Sequence, residues 1–274
     1  MLPDRILVAL QGGDADKRPL AAAQALAPLF NADIRGLFVE PDPASYMLWS
    51  GPGAAGAAVV STALDAVREE ADKLSEQAEA DFNAMGNSAG ASFRRIIDSP
   101  SDSAQQARLV RLMVTCPFAA AGKGPLAEFT TACLVDEGCP IFVPRKGTLP
   151  PKRIAMAWDG SKEAARAAFA AEPLLKAGVE VRILHSARNL DYHDRAASAP
   201  NRLANWLTPR GVKVETVELE GSGSVGSQIL DAASDCDLLV AGAYGHTRIA
   251  QFLFGGVTRS LLGAEDGPSL LIAH

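Results

Sequence analysis

RILVAL at residues 5–10 has a counterpart in RIAMAW at residues 153–158, and this pair of apolar runs decides the expected fold. Each run leads into a turn that contains Gly and Asp, and each turn precedes an Ala-rich stretch typical of a helix. The Ala-rich stretches are at 17–30 and 162–177, and second apolar runs typical of strands follow at 33–39 and 179–185. We therefore interpret the chain as two copies of one unit.

The rest of each half continues the alternation with a third strand, a helix, a fourth strand and a last strand led by proline. These elements are expected at 93–97, 103–113, 118–121 and 140–143 in the first half, and at 212–219, 225–234, 238–241 and 268–273 in the second. Such alternation predicts parallel strands with right-handed crossovers. Each half should be an α/β domain with a five-stranded, doubly wound sheet and helices on both faces. We expect two separate sheets and not one continuous sheet.

A change of composition marks the boundary between the copies. Residues 145–151, RKGTLPP, interrupt the strand and helix patterns with Gly and two adjacent Pro. We therefore expect two domains, 1–148 and 149–274. The first contains an inserted loop and an extra amphipathic helix, whose apolar positions between Leu64 and Phe82 recur every three or four residues. A helix that covers its own sheet is favoured over one that binds a partner.

One nearly uncharged stretch, residues 44–64, has to be tested as a membrane segment. A bilayer-spanning helix needs about 20 apolar residues, and the sequence Gly-Pro-Gly at 51–53 interrupts this one. We predict a loop. The alternative role of its residues 44–60 is contact with a protein partner or a second copy of the chain.

The composition is that of a soluble globular protein. Of the 274 residues, 48% are hydrophobic and 21% are charged. The net charge of −6 leaves no large basic face, so nucleic acid is not an expected partner. The four cysteines have no C-x-x-C spacing, and the first residues lack the pattern of a secretory signal. We expect a cytoplasmic protein with reduced, buried thiols.

The residues with the clearest chemical meaning follow the fourth strand of the second half. The sequence AGAYGHTRIAQFLFGGVTR, residues 241–259, has glycines in the spacing G-x2-G-x9-G-G. In a doubly wound sheet, ligands bind beyond the carboxyl ends of the strands, where the strand order reverses. A loop with these glycines can aim the backbone amides of 255–258 at an anion, at the start of a helix. The alternative is that the glycines only end a strand and form a turn.

This stretch resembles the signature of the universal stress protein family, G-x2-G-x9-G followed by Ser or Thr. The resemblance implies two flavodoxin-like (adenine-nucleotide α-hydrolase-like) domains and a role in the stress response. It also implies an adenine nucleotide, ATP or ADP with or without Mg²⁺, in the second half. In that family an Asp at the end of the first strand resembles an adenine-recognition group, and Asp159 occupies the matching position. From the residues alone, Asp159 or Ser161 is also a helix cap.

The expected site therefore combines the ends of three strands with the glycine-rich loop. Its predicted nucleotide-binding residues are Ala157, Trp158, Asp159, Ser186, Ala241, Gly242, Gly245, His246, Arg248, Gly255, Gly256, Val257 and Thr258. By the resemblance, the backbone of Ser186 meets adenine, and Gly242 and Gly245 line the ribose and phosphates. Gly256 stands where the family usually has Ser or Thr, which removes one hydroxyl from the phosphate end. Trp158 could stack on a ligand or fill the cleft.

The first half departs further from the signature. Gln11 replaces the aspartate of the first strand, and Gly122, taken as the counterpart of Gly242, is 18 residues before Pro140. The corresponding distance from Gly242 to Pro268 is 26 residues, so about eight residues of phosphate loop should be missing. We predict a structural first half without a cofactor.

Three functions remain open from the sequence. The first is a regulatory protein that binds ATP or ADP, and the second is a nucleotide-free scaffold that uses residues 44–60. The third is a slow ATPase, although the motif contains no evident carboxylate pair or lysine for rapid hydrolysis. No catalytic residue or metal ligand is predicted, because the crowded sequence DYHD at 191–194 is interpreted as a hydrated loop. A homodimer is an expected assembly.

Overall fold

The computed structural model describes residues 4–40, 54–86, 90–186, 199–220, 223–243 and 256–274. The strands of the first half are β1 (Asp4–Leu10), β2 (Ala32–Glu40), β3 (Ser92–Ile97), β4 (Leu112–Val114) and β5 (Ile141–Val143). Those of the second half are β6 (Arg153–Ala157), β7 (Glu180–His185), β8 (Lys213–Glu218), β9 (Leu238–Gly242) and β10 (Ser269–Ala273).

The described helices alternate with these strands. Those of the first half are α1 (Lys17–Phe30), α2 (Ala54–Ala84), α3 (Pro100–Ala104), α4 (Pro117–Ala120) and α5 (Ala127–Val135). Those of the second half are α6 (Lys162–Ala170), α7 (Pro200–Leu207), α8 (Val225–Ala232) and α9 (Gly256–Gly263). Most predicted elements of the second half lie within two residues of their observed bounds.

The strands form one ten-stranded sheet in the order β3-β2-β1-β4-β5-β10-β9-β6-β7-β8. Within each half the strands are parallel, which confirms the α/β fold and the doubly wound order of each five-stranded unit. The expectation of two separate sheets is wrong, because β5 and β10 pair antiparallel, with Phe142 opposite Leu271. Both strands are buried and would otherwise leave unpaired backbone groups at an inner edge.

The two faces of this sheet carry separate cores that extend across both halves. Ile6 and Val8 share a core with Ile154 and Met156 on one face. On the opposite face, residues such as Leu7 and Leu239 share the other core. Side chains that alternate along buried parallel strands face opposite layers of helices, so the halves are joined by packing as well as by strand pairing.

The fourth strand of the first half was predicted in the wrong place. It is Leu112–Val114, whereas Phe118–Ala120 belong to α4, which begins at Pro117 with Cys116 as its cap. The predicted helix at 103–113 is also wrong, since the short α3 ends at Ala104 and a 3-10 turn follows. A short apolar run does not by itself distinguish a strand from a buried helix, which explains the exchange.

The connection between β4 and β5 is longer than the misplaced fourth strand implied. When the two halves are compared by strand register, the residue equivalent to Gly242 is Cys116 and not Gly122. Met113 pairs with Ile141, 28 positions further on, and Leu239 pairs with Leu270, 31 positions further on. The connection in the first half is therefore three residues shorter and not eight, and it contains helix α5.

Helix α2 is longer than predicted. It has 31 residues from Ala54 to Ala84, so residues 54–64 are helical and not part of a loop, while residues 44–53 are outside the described structure. Pro52 and Gly53 come before this helix, and the Ala-rich segment after them favours helix. The predicted packing on its own sheet is confirmed, because Ala78 and Phe82 are buried against β2 and β3. No described helix is long and apolar enough to cross a membrane.

Asp237, directly before β9, forms hydrogen bonds with the segment between the halves. Its carboxylate accepts hydrogen bonds from the backbone amides of Lys152 and Arg153 at 2.9 and 3.0 Å and from the Thr148 hydroxyl at 2.6 Å. Burial alone would raise the pKa of Asp237, but these hydrogen bonds outweigh it and lower the pKa. The linker is thus held to the second half by a charged acceptor.

Candidate functional site

The candidate site lies at the carboxyl ends of β6, β7 and β9, which are neighbours in the sheet. Asp159 follows β6, Ser186 follows β7, and Gly242 ends β9. Parallel strands bring their carboxyl ends to one edge, so these three predicted residues share that edge. Gly245, His246, Arg248 and Gly255 lie outside the described residues.

The turn after β6 is fixed by two short-range hydrogen bonds. The Ser161 amide donates to Asp159 Oδ1 at 2.9 Å, and the Ser161 hydroxyl accepts from the Ala164 amide at 3.1 Å as the cap of α6. Gly160 has a φ of 81°, which a residue with a side chain rarely adopts. The capping role proposed for Ser161 is confirmed.

The residues before Asp159 contribute to packing. Trp158 is only 8% exposed and belongs to the core shared with α6, and its amide donates to the Leu184 carbonyl at 2.8 Å. Its side chain therefore fills space beneath the cleft. Ser186 is also buried, at 7% exposure, which leaves little of its side chain open to a ligand.

Gly242 is required by the close approach of α6. A Cβ at this position would be 2.5 Å from the Ala164 amide nitrogen and 2.7 Å from the Glu163 carbonyl carbon. Replacing Gly242 with a larger residue would therefore displace α6 from the end of β9. Such a variant would combine a packing defect with any loss of ligand contact, and it is not a clean test of binding.

Glu163 is a buried acid at this edge that the sequence interpretation missed. It is 2% exposed, and its Oε1 lies 3.4 Å from the exposed Lys162 ammonium. Among the described residues, Oε2 has no hydrogen-bond partner. Glu163 lies two residues after the Ser161 cap, in the first turn of α6, where acidic residues are common. Its position in the first turn of the helix is the sequence feature that could have identified Glu163.

Helix α9 contains Gly256, Val257 and Thr258, for which the sequence predicted phosphate contacts. It begins at Gly256, so the amides of Gly256, Val257 and Thr258 belong to the first turn, which has no intrahelical acceptors. Gly256 is exposed, and within the described structure a Cβ there would meet nothing within 4 Å. A helix start favours an anionic group, so the residues present are compatible with a nucleotide phosphate.

The same edge in the first half is filled by the chain itself. The Asp16 carboxylate, 1% exposed, accepts from the Gln11 amide at 3.1 Å and from the Gly12 amide at 2.7 Å. A Cβ on Gly12 would lie 2.8 Å from the Leu74 Cβ of α2, so this helix covers the turn. The amides that follow β1 are therefore occupied by an internal carboxylate.

Asp16 provides a stability test with a defined pH dependence. Burial raises its pKa above 3.8 and outweighs the hydrogen bonds from Gln11 and Gly12, which lower it. The folded state thus holds the proton more tightly, and the stability from this group is present below pH 3.8 and lost as the pH rises through the folded pKa. We expect Asp16→Asn to be at least as stable as the wild type at pH 7 and to lack this pH-dependent component.

Asp16→Ala is the matched variant, because it removes the acceptor as well as the charge. It leaves two partly buried amides without this acceptor and should lower the free energy of unfolding by about 1–3 kcal/mol. Urea unfolding from pH 3 to 8 measures both effects. Equal stability of the Ala and Asn variants would show that this carboxylate does not hold the turn.

The cysteines and the possible metal ligands were the other chemical groups considered from the sequence. All four cysteines are free and buried, as predicted, and burial raises the pKa of Cys139 to about 12 and of Cys236 to about 11. Within the described ranges, no group of three or more His, Cys, Asp or Glu residues could hold a metal ion. The sequence DYHD at 191–194 lies outside those ranges.

Comparisons with known proteins define the class. Residues 151–271 match the universal stress protein family. The whole chain resembles a universal stress protein from Archaeoglobus fulgidus DSM 4304, with a TM-score of 0.67, 15% identity and coverage of 100% of this chain and 99% of that chain. A protein of unknown function from Pseudomonas aeruginosa PAO1 gives a TM-score of 0.52 and 17% identity, covering 99% of this chain and 92% of that chain.

A search of curated proteins gave no match. From the sheet topology, the chain is an α/β protein of two similar units. Because the family model matches residues 151–271, the second half belongs to the universal stress protein family. Its full length shares the fold of the Archaeoglobus protein. The family predicted from the glycine motif is confirmed.

Proposed function

We propose that the second half binds an adenine nucleotide, ATP or ADP, and that the chain is a regulatory protein of the stress response. The observation that carries this proposal is the convergence of Asp159, Ser186, Gly242 and the first turn of α9 at one edge of the sheet. We also propose 1–148 and 149–274 as the two domains, of which only the second is a binding domain.

The proposed roles follow from the chemistry of each group. Asp159 Oδ2 accepts from the exocyclic amine of adenine, and the Ser186 backbone contacts the base. The amides of 256–258 donate to phosphate oxygens, with the helix dipole favouring the negative charge. Gly245, His246, Arg248 and Gly255 complete the loop by the sequence motif, and charged donors there strengthen phosphate binding.

Mg²⁺ would enter with the nucleotide and neutralise its phosphates. Glu163 is a buried acid whose Cβ lies against Gly242, and its side chain offers the oxygen ligands that Mg²⁺ prefers. We propose binding without rapid turnover, because phosphoryl transfer to water also needs a positioned base in line with the phosphate. Asp159 is engaged by the Ser161 amide and does not serve as that base.

A homodimer in the cytoplasm is the proposed assembly. The 31-residue helix α2 is about 46 Å long, and it meets β2 and β3 near its C-terminal end, where Ala78 and Phe82 are buried. Val67, closer to its start, is 56% exposed. Light scattering that gives a concentration-independent mass near 28.6 kDa would exclude the dimer.

Nucleotide titration of the full chain tests the proposed function. ATP and ADP should bind at least about tenfold more tightly than GTP, since guanine presents an oxygen where adenine presents an amine to Asp159. Mass spectrometry of small molecules released from the purified protein identifies the bound species. A Universal stress protein has been solved in complex with cAMP, so cAMP is included as a further ligand. Absence of binding by every adenine nucleotide would contradict the proposal.

A further inference from the structure

Arg145 reaches from the end of the first half to the C-terminal end of helix α9 in the second half. It follows β5 by two residues and is only 6% exposed. Its Nη2 donates to the Leu261 carbonyl at 2.6 Å and to the Leu262 carbonyl at 3.4 Å, and its amide donates to Ser269 Oγ at 3.1 Å. Leu261 and Leu262 are in the last turn of α9, so Arg145 closes the C-terminal end of that helix.

The charge of this arginine is unusual for its surroundings. Burial lowers the pKa of Arg145 to about 10, so it stays protonated at neutral pH. Within the part of the chain that the structure describes, Nε and Nη1 have no hydrogen-bond partner, and no carboxylate forms an ion pair with the guanidinium. The negative end of the α9 dipole takes the place of a counter-ion.

Stability alone does not account for a charged residue at this position. A buried charge without an ionic partner is costly, and apolar residues often replace buried charged groups without loss of stability. The hydrogen bonds to two helix carbonyls are directional, however, and fix where the end of α9 lies. The arrangement favours control of helix position over a general contribution to folding.

The position of α9 matters because the helix is short. Its eight residues span about 12 Å, and its opposite end carries the amides of 256–258. A shift at Leu261 therefore moves those amides with it. Close packing limits other movements, since a Cβ on Gly226 of α8 would be 2.6 Å from the Ser260 Cβ of α9.

We propose that Arg145 is a positioning residue for the phosphate end of the nucleotide site, and that it links this site to the junction between the two halves. The inference rests on the proposed function. It gives the first half, for which we propose no nucleotide, a role in ligand binding. That half supplies the residue that sets the end of the binding helix.

Two variants of the full chain separate the properties of the side chain. Arg145→Gln keeps one donor and removes the charge, and Arg145→Lys keeps the charge and removes the planar fork. Calorimetric titration gives the affinities for ATP and for adenosine. Adenosine measures binding at the base end alone, and the difference between the two affinities measures the contribution of the phosphate end. We expect ATP to bind about tenfold more weakly to Arg145→Gln, within the usual range of coupling between sites. Arg145→Lys should recover part of the loss.

Adenosine distinguishes positioning from a general loss of structure. Its affinity should be the same in the wild type and both variants, because it has no phosphate to meet α9. Arg108→Gln is the control for charge, since Arg108 is an exposed residue paired with Glu137 of the first half. Equal ATP affinity in all folded variants, or equal losses for ATP and adenosine, would overturn the inference. Absence of ATP binding by the wild type would instead contradict the proposed function.

Discussion

Gly147→Ala is expected to lower the free energy of unfolding by about 3 kcal/mol, the upper part of the range for overpacked sites. A Cβ on Gly147 would lie 1.7 Å from the Asp237 carbonyl oxygen and 2.6 Å from its carbonyl carbon. Backbone atoms cannot rotate away as a side chain can, so the linker would have to move. That movement would also weaken the hydrogen bonds from Thr148, Lys152 and Arg153 to the Asp237 carboxylate.

Urea unfolding of Gly147→Ala measures this effect. Gly263→Ala is the matched control, because a Cβ on Gly263 would meet nothing within 4 Å among the described residues. The control should change stability by less than about 1 kcal/mol, and in the stabilising direction if helix propensity decides it. A Gly147 variant as stable as the control would show that the linker does not lie against β9 as described.

Asp159→Ala is expected to weaken ATP binding by about 10- to 150-fold, which corresponds to a lost hydrogen bond to a charged group. The variant removes the proposed acceptor for the adenine amine. It also removes the Oδ1 acceptor of the Ser161 amide, which shapes the turn after β6. Calorimetric titration of folded protein gives the affinity.

Two further variants separate recognition from turn geometry. Asp159→Asn keeps an oxygen for the Ser161 amide, so it should preserve the turn and still bind ATP more weakly than the wild type. Asp98→Ala removes a similar contact in the first half, where Asp98 Oδ1 accepts from the Ser99 amide at 2.7 Å. It should not change ATP affinity. If Asp159→Ala and Asp98→Ala bind ATP equally well, Asp159 has no part in recognition.

The elements that the sequence predicted well are those with long, regular patterns. Helix α1 was predicted as 17–30 and begins and ends at those residues, because an Ala-rich stretch between two strands has few alternative structures. The fourth strand was predicted at 118–121 and not at its observed position, because the three apolar residues of β4 gave a weaker signal than the apolar run in α4. The error in loop length followed from that displacement.

The pairing of β5 with β10 was not predictable from local patterns. Edge pairing depends on which surfaces meet after each half has folded, and no spacing in the sequence records it. The same limit applies to Arg145, because a basic residue in a Gly- and Pro-containing linker is normally exposed. Its burial follows from its contact with a helix more than a hundred residues away.

Part of the candidate site was predicted for the right reason. Asp159, Ser186 and Gly242 were placed at strand ends, and strand ends meet at one edge in a parallel sheet. A first half without a nucleotide was predicted from a short loop, and the described contacts offer a different argument for that prediction. Asp16 occupies the amides of Gln11 and Gly12, and Leu74 covers the turn.

In the proposed arrangement, one half of the chain binds nucleotide and the other half supports it. Calorimetric titration of the full chain with ATP and Mg²⁺ measures the number of sites directly, with Asp159→Ala as the comparison. We expect one ATP per wild-type chain and a greatly weakened site in the variant. Two equivalent sites per chain, or one undiminished site in Asp159→Ala, would contradict this arrangement.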